Sequence, residues 1–416
     1  MTATRVTVCL THPVQYLAPW FRYIASHRRE IDLTVIYAAD PTPGQQGTGF
    51  GTAFRWDVDL LGGYAARVLR PAGPDTDVSD TSLFGADAPG IEGALRDARP
   101  DVALLPGWHS AAYLRAYRAC RRMQVPLIYR GDTHLGSAPS GWRRGLWERR
   151  TRLLLRRFDG WLSVGARARA YLEHFGVDEP LVFDSPHAVD NDALRSAASP
   201  WMTGAGRAAL RAELALPAGA WVAGFVGKLA DHKRPLDAVR AVARMAPGAA
   251  LLVAGAGPLE AACRDEAARL GVPLALAGFV NQSEIARIYA AIDCLVLPSA
   301  RESWGLVVNE AMAVGRPCVV TDGAGCAPDL VTPGVTGEIV PAGDVDAMAA
   351  ALERVRERAP ADGTPSAACR DRVARYSFAA AADGLLGAAG RLVRRRGAAV
   401  ASASPRVVAC CGSMVI

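Results

Sequence analysis

Apolar residues along this chain gather in short continuous runs, separated by longer stretches where they recur every three or four positions. The runs predict buried strands and the stretches predict amphipathic helices. In the first half the predicted strands are Val6 to Leu10, Leu33 to Tyr37, Ala66 to Leu69, Val102 to Leu105, Leu127 to Tyr129, Trp161 to Val164 and Leu181 to Phe183. Helical patterns stand between several of them, as in Ala111 to Arg122 and Ala166 to Phe175. Alanine, serine and proline around Ala197 to Pro200 mark a linker. A second series of strands follows: Trp221 to Val226, Ala250 to Ala254, Leu274 to Ala277, Leu295 to Leu297 and Cys318 to Thr321. Strands alternating with helices at this spacing predict an α/β fold of parallel, doubly wound sheets. Asp344 to Glu357 reads as a helix and Phe378 to Leu392 as a last amphipathic segment. Arg394 to Arg396 and the serine- and alanine-rich tail to Ile416 read as disordered.

Unusual residues fall just beyond the ends of these strands. Lys228 follows the strand at Trp221, Gly255 and Gly257 the one at Ala250, and Phe279 the one at Leu274. Glu302 follows Leu295 to Leu297, and Gly325 follows Cys318 to Thr321. Open parallel sheets bind ligands outside the carboxyl ends of their strands, so these loops converge on one crevice. The same reasoning applied to the first half selects His12 and Gln15, Trp108 and His109, and Asp132 with His134. Each histidine has an equally good bland reading as a loop hydrogen-bonder. Pro13 is well placed to open a helix, and glycine-rich Asp40 to Thr52 reads as a long loop of the kind that often carries function.

The densest signal is Leu295 to Gly325, read as strand, loop, helix, strand and glycine loop. Leu306, Val307, Ala311 and Val314 fit one helical face, and Gly315 ends it. Glu302 and Glu310 stand eight positions apart, flanking a helix N-terminus whose free N–H groups favour an anion. A ligand with hydroxyls on one side and phosphates on the other suits such a site.

Composition narrows the class. The 416 residues are half apolar and 21% charged, enough for two or three globular domains. A net charge of +6 is mild and gives no case for nucleic acid. No run approaches a membrane span, and Val6 to Leu10 is too short for a signal peptide. Nine cysteines without a C-x-x-C pair read as buried thiols of a reducing cytoplasm. Four Asp-x-Asp pairs, at Asp57, Asp75, Asp190 and Asp344, are what chance provides and argue for no metal. Gly255-x-Gly257 opens like a dinucleotide fingerprint, but Glu260 fills the third glycine position.

The ordered set GFVGKLADHKRP, LLVAGAGPLE, LAGFVNQSEI and ESWGLVVNEAMAVGRP resembles the retaining glycosyltransferases of family 4, with their E-x7-E signature and GT-B fold. The resemblance implies two Rossmann-like domains facing across a cleft: an acceptor-side domain over 1–198 and a nucleotide-sugar-binding domain over 199–376. A closing helix over 377–396 would return to the first domain, leaving 397–416 as the tail. It implies metal-independent transfer of a sugar from a UDP- or GDP-linked donor to a hydroxyl of a glycan, glycolipid or small metabolite, with no cofactor beyond the donor itself. Lys228 and Lys233 would stabilise the leaving diphosphate, lysine replacing the family's usual arginine at the first position. Glu302 would contact the sugar and Glu310 the ribose hydroxyls, with Gly257, Phe279, Val280 and the N–H groups of Gly305, Leu306 and Val307 completing the donor site. His134 is the nearest match to a histidine that faces the donor sugar. His12, Gln15, Trp108, His109 and Asp132 would face the acceptor, and Trp304, where phenylalanine is commoner, would border the sugar pocket. A nucleotide-sugar epimerase of the same fold and a non-catalytic nucleotide-sugar-binding subunit are the alternatives. Trp142 to Phe158 is strongly basic, with Leu146, Trp147 and Leu153 to Leu155 available to one side. An ordinary surface helix is favoured roughly two to one over peripheral contact with an inner membrane surface.

Overall fold

The computed structural model describes residues 2–70, 86–360 and 363–403. The pair Asp75 and Asp77, residues 404–416 of the tail, and Cys410 and Cys411 lie outside the described residues. Two parallel sheets form, their central strands buried on both faces as sheets covered by helices on either side require, while the edge strand Ala65–Val68 is largely exposed. The first contains β1 (Thr4–Leu10), β2 (Ile31–Tyr37), β3 (Ala65–Val68), β4 (Val102–Leu105), β5 (Leu127–Gly131), β6 (Gly160–Ser163) and β7 (Val182–Asp184), in the order β3-β2-β1-β4-β5-β6-β7. The second contains β8 (Trp221–Val226), β9 (Ala249–Ala254), β10 (Leu274–Gly278), β11 (Cys294–Leu297), β12 (Cys318–Thr321) and β13 (Gly337–Val340), in the order β10-β9-β8-β11-β12-β13. All pairings are parallel. Two doubly wound sheets facing across a cleft are the expected GT-B architecture.

The chain order reverses between β1 and β4 in one sheet and between β8 and β11 in the other. Loops leaving those strands depart to opposite faces and open a crevice at each crest. One core lies on each face of each sheet. The core around Val222, Leu252 and Val308 also takes in Val164 and Ala168 of the first unit, so the two halves share packed surface.

The last helix, Phe378–Ala403, crosses back to the first sheet, where Leu385, Ala388 and Leu392 join Val6, Ile128 and Leu162. It runs through Arg394 to Arg396 and on over 397–403, all of which therefore belong to a helix and not to a disordered tail. Three other expectations change. The first helix begins at Ala18 with Pro19 in its first turn, so Pro13 lies in the preceding loop. Asp40 to Thr52 is not wholly irregular, because Thr42 caps a short helix at Pro43–Gln46 through a reciprocal bond with Gln45. The linker segment carries the helix Asn191–Ala198, capped by Asp190. The seven cysteines among the described residues are free and buried. Among the described residues no helix is long and apolar enough to cross a membrane.

Candidate functional site

The loop leaving β11 carries Glu302, and its backbone is fixed from three sides. Glu302 N donates to Gly323 O at 3.1 Å, and its carbonyl accepts from Gly325 N at 2.9 Å. The same carbonyl faces His134 Nε2 at 3.3 Å. The approach explains Gly325, because a Cβ there would stand 1.9 Å from Ser303 O. The Glu302 carboxylate pairs with the Lys233 ammonium and accepts from Ser299 Oγ at 3.3 Å. An anionic and a cationic side chain thus meet on one wall, brought together from the loops after β11 and β8.

Gly305 follows in the left-handed region, at φ 103°, and opens the helix Leu306–Ala313. Of the predicted apolar face, Ala311 and Val314 are buried together with Val308 and Met312, whereas Leu306 and Val307 border the cleft. The face is rotated from the sequence expectation because the helix packs over β11 and β12 while its first turn stands at the crest. Its unbonded N–H groups therefore point where an anion would be held. Glu310 lies one turn further on and accepts from Tyr289 Oη at 2.6 Å. Burial raises the Glu310 carboxyl to about 7, against which the Tyr289 bond works.

These groups line a cleft of about 640 Å³ between the two sheets. Lys233, Phe279, Val280, Glu302, Gly305, Leu306, Val307 and Glu310 border it from the second unit, and Gln15 from the first. Lys228 stands at its edge, donating to Thr48 O at 3.1 Å with its ammonium 4.8 Å from the centre of the Phe50 ring. Burial and then the neighbouring Lys233 charge lower its pKa. Gly257 backs onto the Leu229 main chain, behind the wall.

His12, Trp108, His109, Asp132 and His134 do not line this cleft. His134 is 4% exposed and is spent on structure: Gly136 N donates to its Nδ1 at 3.2 Å, which leaves Nε2–H for the Glu302 carbonyl. Burial lowers its pKa and keeps it neutral, the Glu302 contact opposing. Trp108 stacks on Tyr129 with ring centres 5.3 Å apart and belongs to the first-unit core. His109 meets Tyr113 edge-on, and His12 Nδ1 lies 3.1 Å from Thr11 Oγ1. Asp132 stands 3.8 Å from His187 Nε2. Burial favours its neutral form, but His187, its own main-chain N–H and the Arg130 charge together outweigh this and hold its pKa below the ordinary value. Trp304 does not border the cleft either. It is 4% exposed, donates from Nε1 to Asn309 Oδ1 at 2.8 Å and packs against His187 and Tyr376.

Sequence reasoning marked Asp40 to Thr52 as a functional loop but passed over the strap that continues from it to Asp57. Phe54 stacks on Phe279 at 4.0 Å, while Phe50 and Trp56 meet the same ring at 5.3 and 6.1 Å. Beside them Asn281 Nδ2 donates to Arg55 O at 2.8 Å, and Ser283 donates from its main-chain N (3.2 Å) and its hydroxyl to the Asp57 carboxylate. The strap covers one end of the cleft and holds Lys228 at Thr48. Its signal was three aromatics, Phe50 among the glycines and Phe54 and Trp56 just after them.

Comparison with known proteins agrees with this geometry. Residues 13–183 match the family described as "Glycosyl transferase 4-like domain", and residues 206–364 the family described as "Glycosyl transferases group 1". A D-inositol 3-phosphate glycosyltransferase of Stackebrandtia nassauensis is 29% identical over 357 residues, which is 78% of this chain and 77% of the relative. The enzyme of that name from Mycobacterium marinum is 38% identical over 175 residues, covering 40% of this chain and 37% of its own length. Among solved structures, Anabaena HepE in complex with UDP and glucose superposes with a TM-score of 0.65 at 17% identity, covering 95% of this chain and 99% of that one. Sucrose-phosphate synthase of Thermosynechococcus elongatus gives 0.69 at 19% identity, covering 95% and 100%. At these identities the likeness establishes the fold.

Proposed function

Because the chain belongs to the family-4-like glycosyltransferases of GT-B fold, we propose that it transfers a sugar from a UDP- or GDP-linked donor to an acceptor hydroxyl, with retention and without a metal. The observation that carries this reading is the convergence of Lys233, Glu302, the first turn at Gly305 and Glu310 on one cleft. The ribose hydroxyls donate to the Glu310 carboxylate. The diphosphate lies toward Lys233 and Lys228, and Lys228 leaves Thr48 to reach it. As the sugar–phosphate bond breaks, two electrons and a negative charge pass to the diphosphate, and the lysines stabilise that charge. The acceptor hydroxyl attacks from the face the diphosphate leaves, and the departing phosphate oxygen takes its proton. Glu302, braced by Ser299 and by its three-sided backbone clamp, orients the sugar. Gln15, which borders the cleft from the first unit, takes the acceptor.

The uridine nucleotides in the HepE complexes make UDP-sugars the first donors to try. The relatives named for D-inositol 3-phosphate make a polyhydroxylated acceptor the first class. The test is the anomer released during slow donor hydrolysis, followed by proton NMR before mutarotation, with and without EDTA. Release with the donor's own configuration at an unchanged rate in EDTA is expected. Inverted sugar, or activity abolished by EDTA and restored by a divalent cation, overturns the reading.

A further inference from the structure

The helix Arg143–Leu155 carries two different apolar faces. One is turned inward: Leu155 and Thr151 are buried, and Trp147 packs on Phe175 and Tyr171 at 5.4 and 6.1 Å. The other is turned out. Trp142 is 80% exposed, Leu146 65% and Leu153 57%. At about 100° per residue these three lie within roughly 40° of one another. They are half of the six large hydrophobic side chains exposed among the described residues, so their alignment is a patch and not scatter. The inward contacts fix the helix, so it cannot roll to hide them.

The patch is ringed by positive charge. Seven arginines and one acid, Glu148, lie between Trp142 and Arg157. Glu148 is already engaged by Arg144 at 3.0 Å. Arg149 and Arg156 flank the stripe on one side, with Arg150 and Arg157 on the other, all exposed. An apolar centre containing tryptophan, bordered by long cationic side chains, matches the layering of an anionic lipid surface, with rings and leucines at the acyl boundary and guanidinium groups among the headgroups. A nucleic acid would satisfy the arginines but leave both leucines unused.

The position adds a reason. Trp142 lies eight residues after His134, which touches the Glu302 carbonyl. The patch is therefore tied to the cleft by at most about 27 Å of extended chain. We propose that this helix docks the protein onto an anionic membrane surface and sets the crest of the first unit toward it. On the transferase reading, a lipid-carried hydroxyl acceptor could then reach the cleft from the bilayer. The docking itself does not depend on that reading.

Sedimentation of the full chain with vesicles tests it. Binding to phosphatidylglycerol-containing vesicles and not to pure phosphatidylcholine is expected. The triple variant W142Q/L146Q/L153Q should bind at least tenfold more weakly while keeping wild-type affinity for UDP, since none of the three borders the cleft. R149E/R150E should weaken binding too, and added salt should mimic it. Wild-type protein that ignores anionic vesicles at low salt overturns the proposal. So does a triple variant that binds as wild type, or one whose binding to duplex DNA is as tight as to vesicles and equally indifferent to the three substitutions.

Discussion

At the scale of single residues the account rests most on Glu310. A carboxyl raised by burial to about 7 is partly protonated at neutral pH, yet two ribose hydroxyls need the carboxylate as acceptor. Donor affinity should thus be flat above about pH 7 and fall roughly tenfold per unit below it, with a proton released on binding. Calorimetry of UDP binding from pH 5.5 to 8.5 measures both. Tyr289→Phe removes the bond that stabilises the anion and should move the break to higher pH. Affinity independent of pH, or a break unmoved in the variant, would contradict the assignment. Glu302 was legible in the sequence because it follows a strand end that its own local run defines, and Lys233 and Glu310 because they stand in the ordered motifs that carry the family resemblance. His134 was not. Its environment is set by the carbonyl of Glu302, 168 positions away, and no local pattern encodes that.

Among elements, the central strands were read to within a residue or two because runs buried on both faces leave an unambiguous mark. β13 was missed. It has four residues, and one of them, Glu338, is a charge held by Arg354 and Arg358, so its apolar run is broken. The strap's grip on the second unit was missed for a different reason. Phe50, Phe54 and Trp56 find their partner, Phe279, in the other unit, where period along the chain carries no information. Such ring pairs contribute about 0.5–1.5 kcal/mol. Phe54→Ala should therefore speed hydrogen exchange of the strap amides by up to roughly tenfold, Phe279→Ala should do the same, and the double variant should add little to either. Fully additive effects would mean that the rings do not clasp one another.

For the whole molecule, two sheets share packed surface, the closing helix returns to the first of them, and the strap spans the mouth. On the proposed reading the strap helps to keep water from the donor, as transfer to an acceptor requires. The architecture was legible because the alternation of strand and helix restarts after the linker. The relation between the halves came only with the family resemblance, since it depends on contacts such as Ala166 N to Asp329 at 3.0 Å that join distant segments. The central claim is that this cleft activates a nucleoside diphosphate sugar. It is tested most directly by measuring nucleoside diphosphate release from a panel of UDP- and GDP-sugars, for wild type and Glu302→Gln. The account predicts release from one donor and a loss of at least a hundredfold in the variant with UDP or GDP still bound. Equal release from both proteins, or no binding of any nucleotide by the wild type, would contradict it.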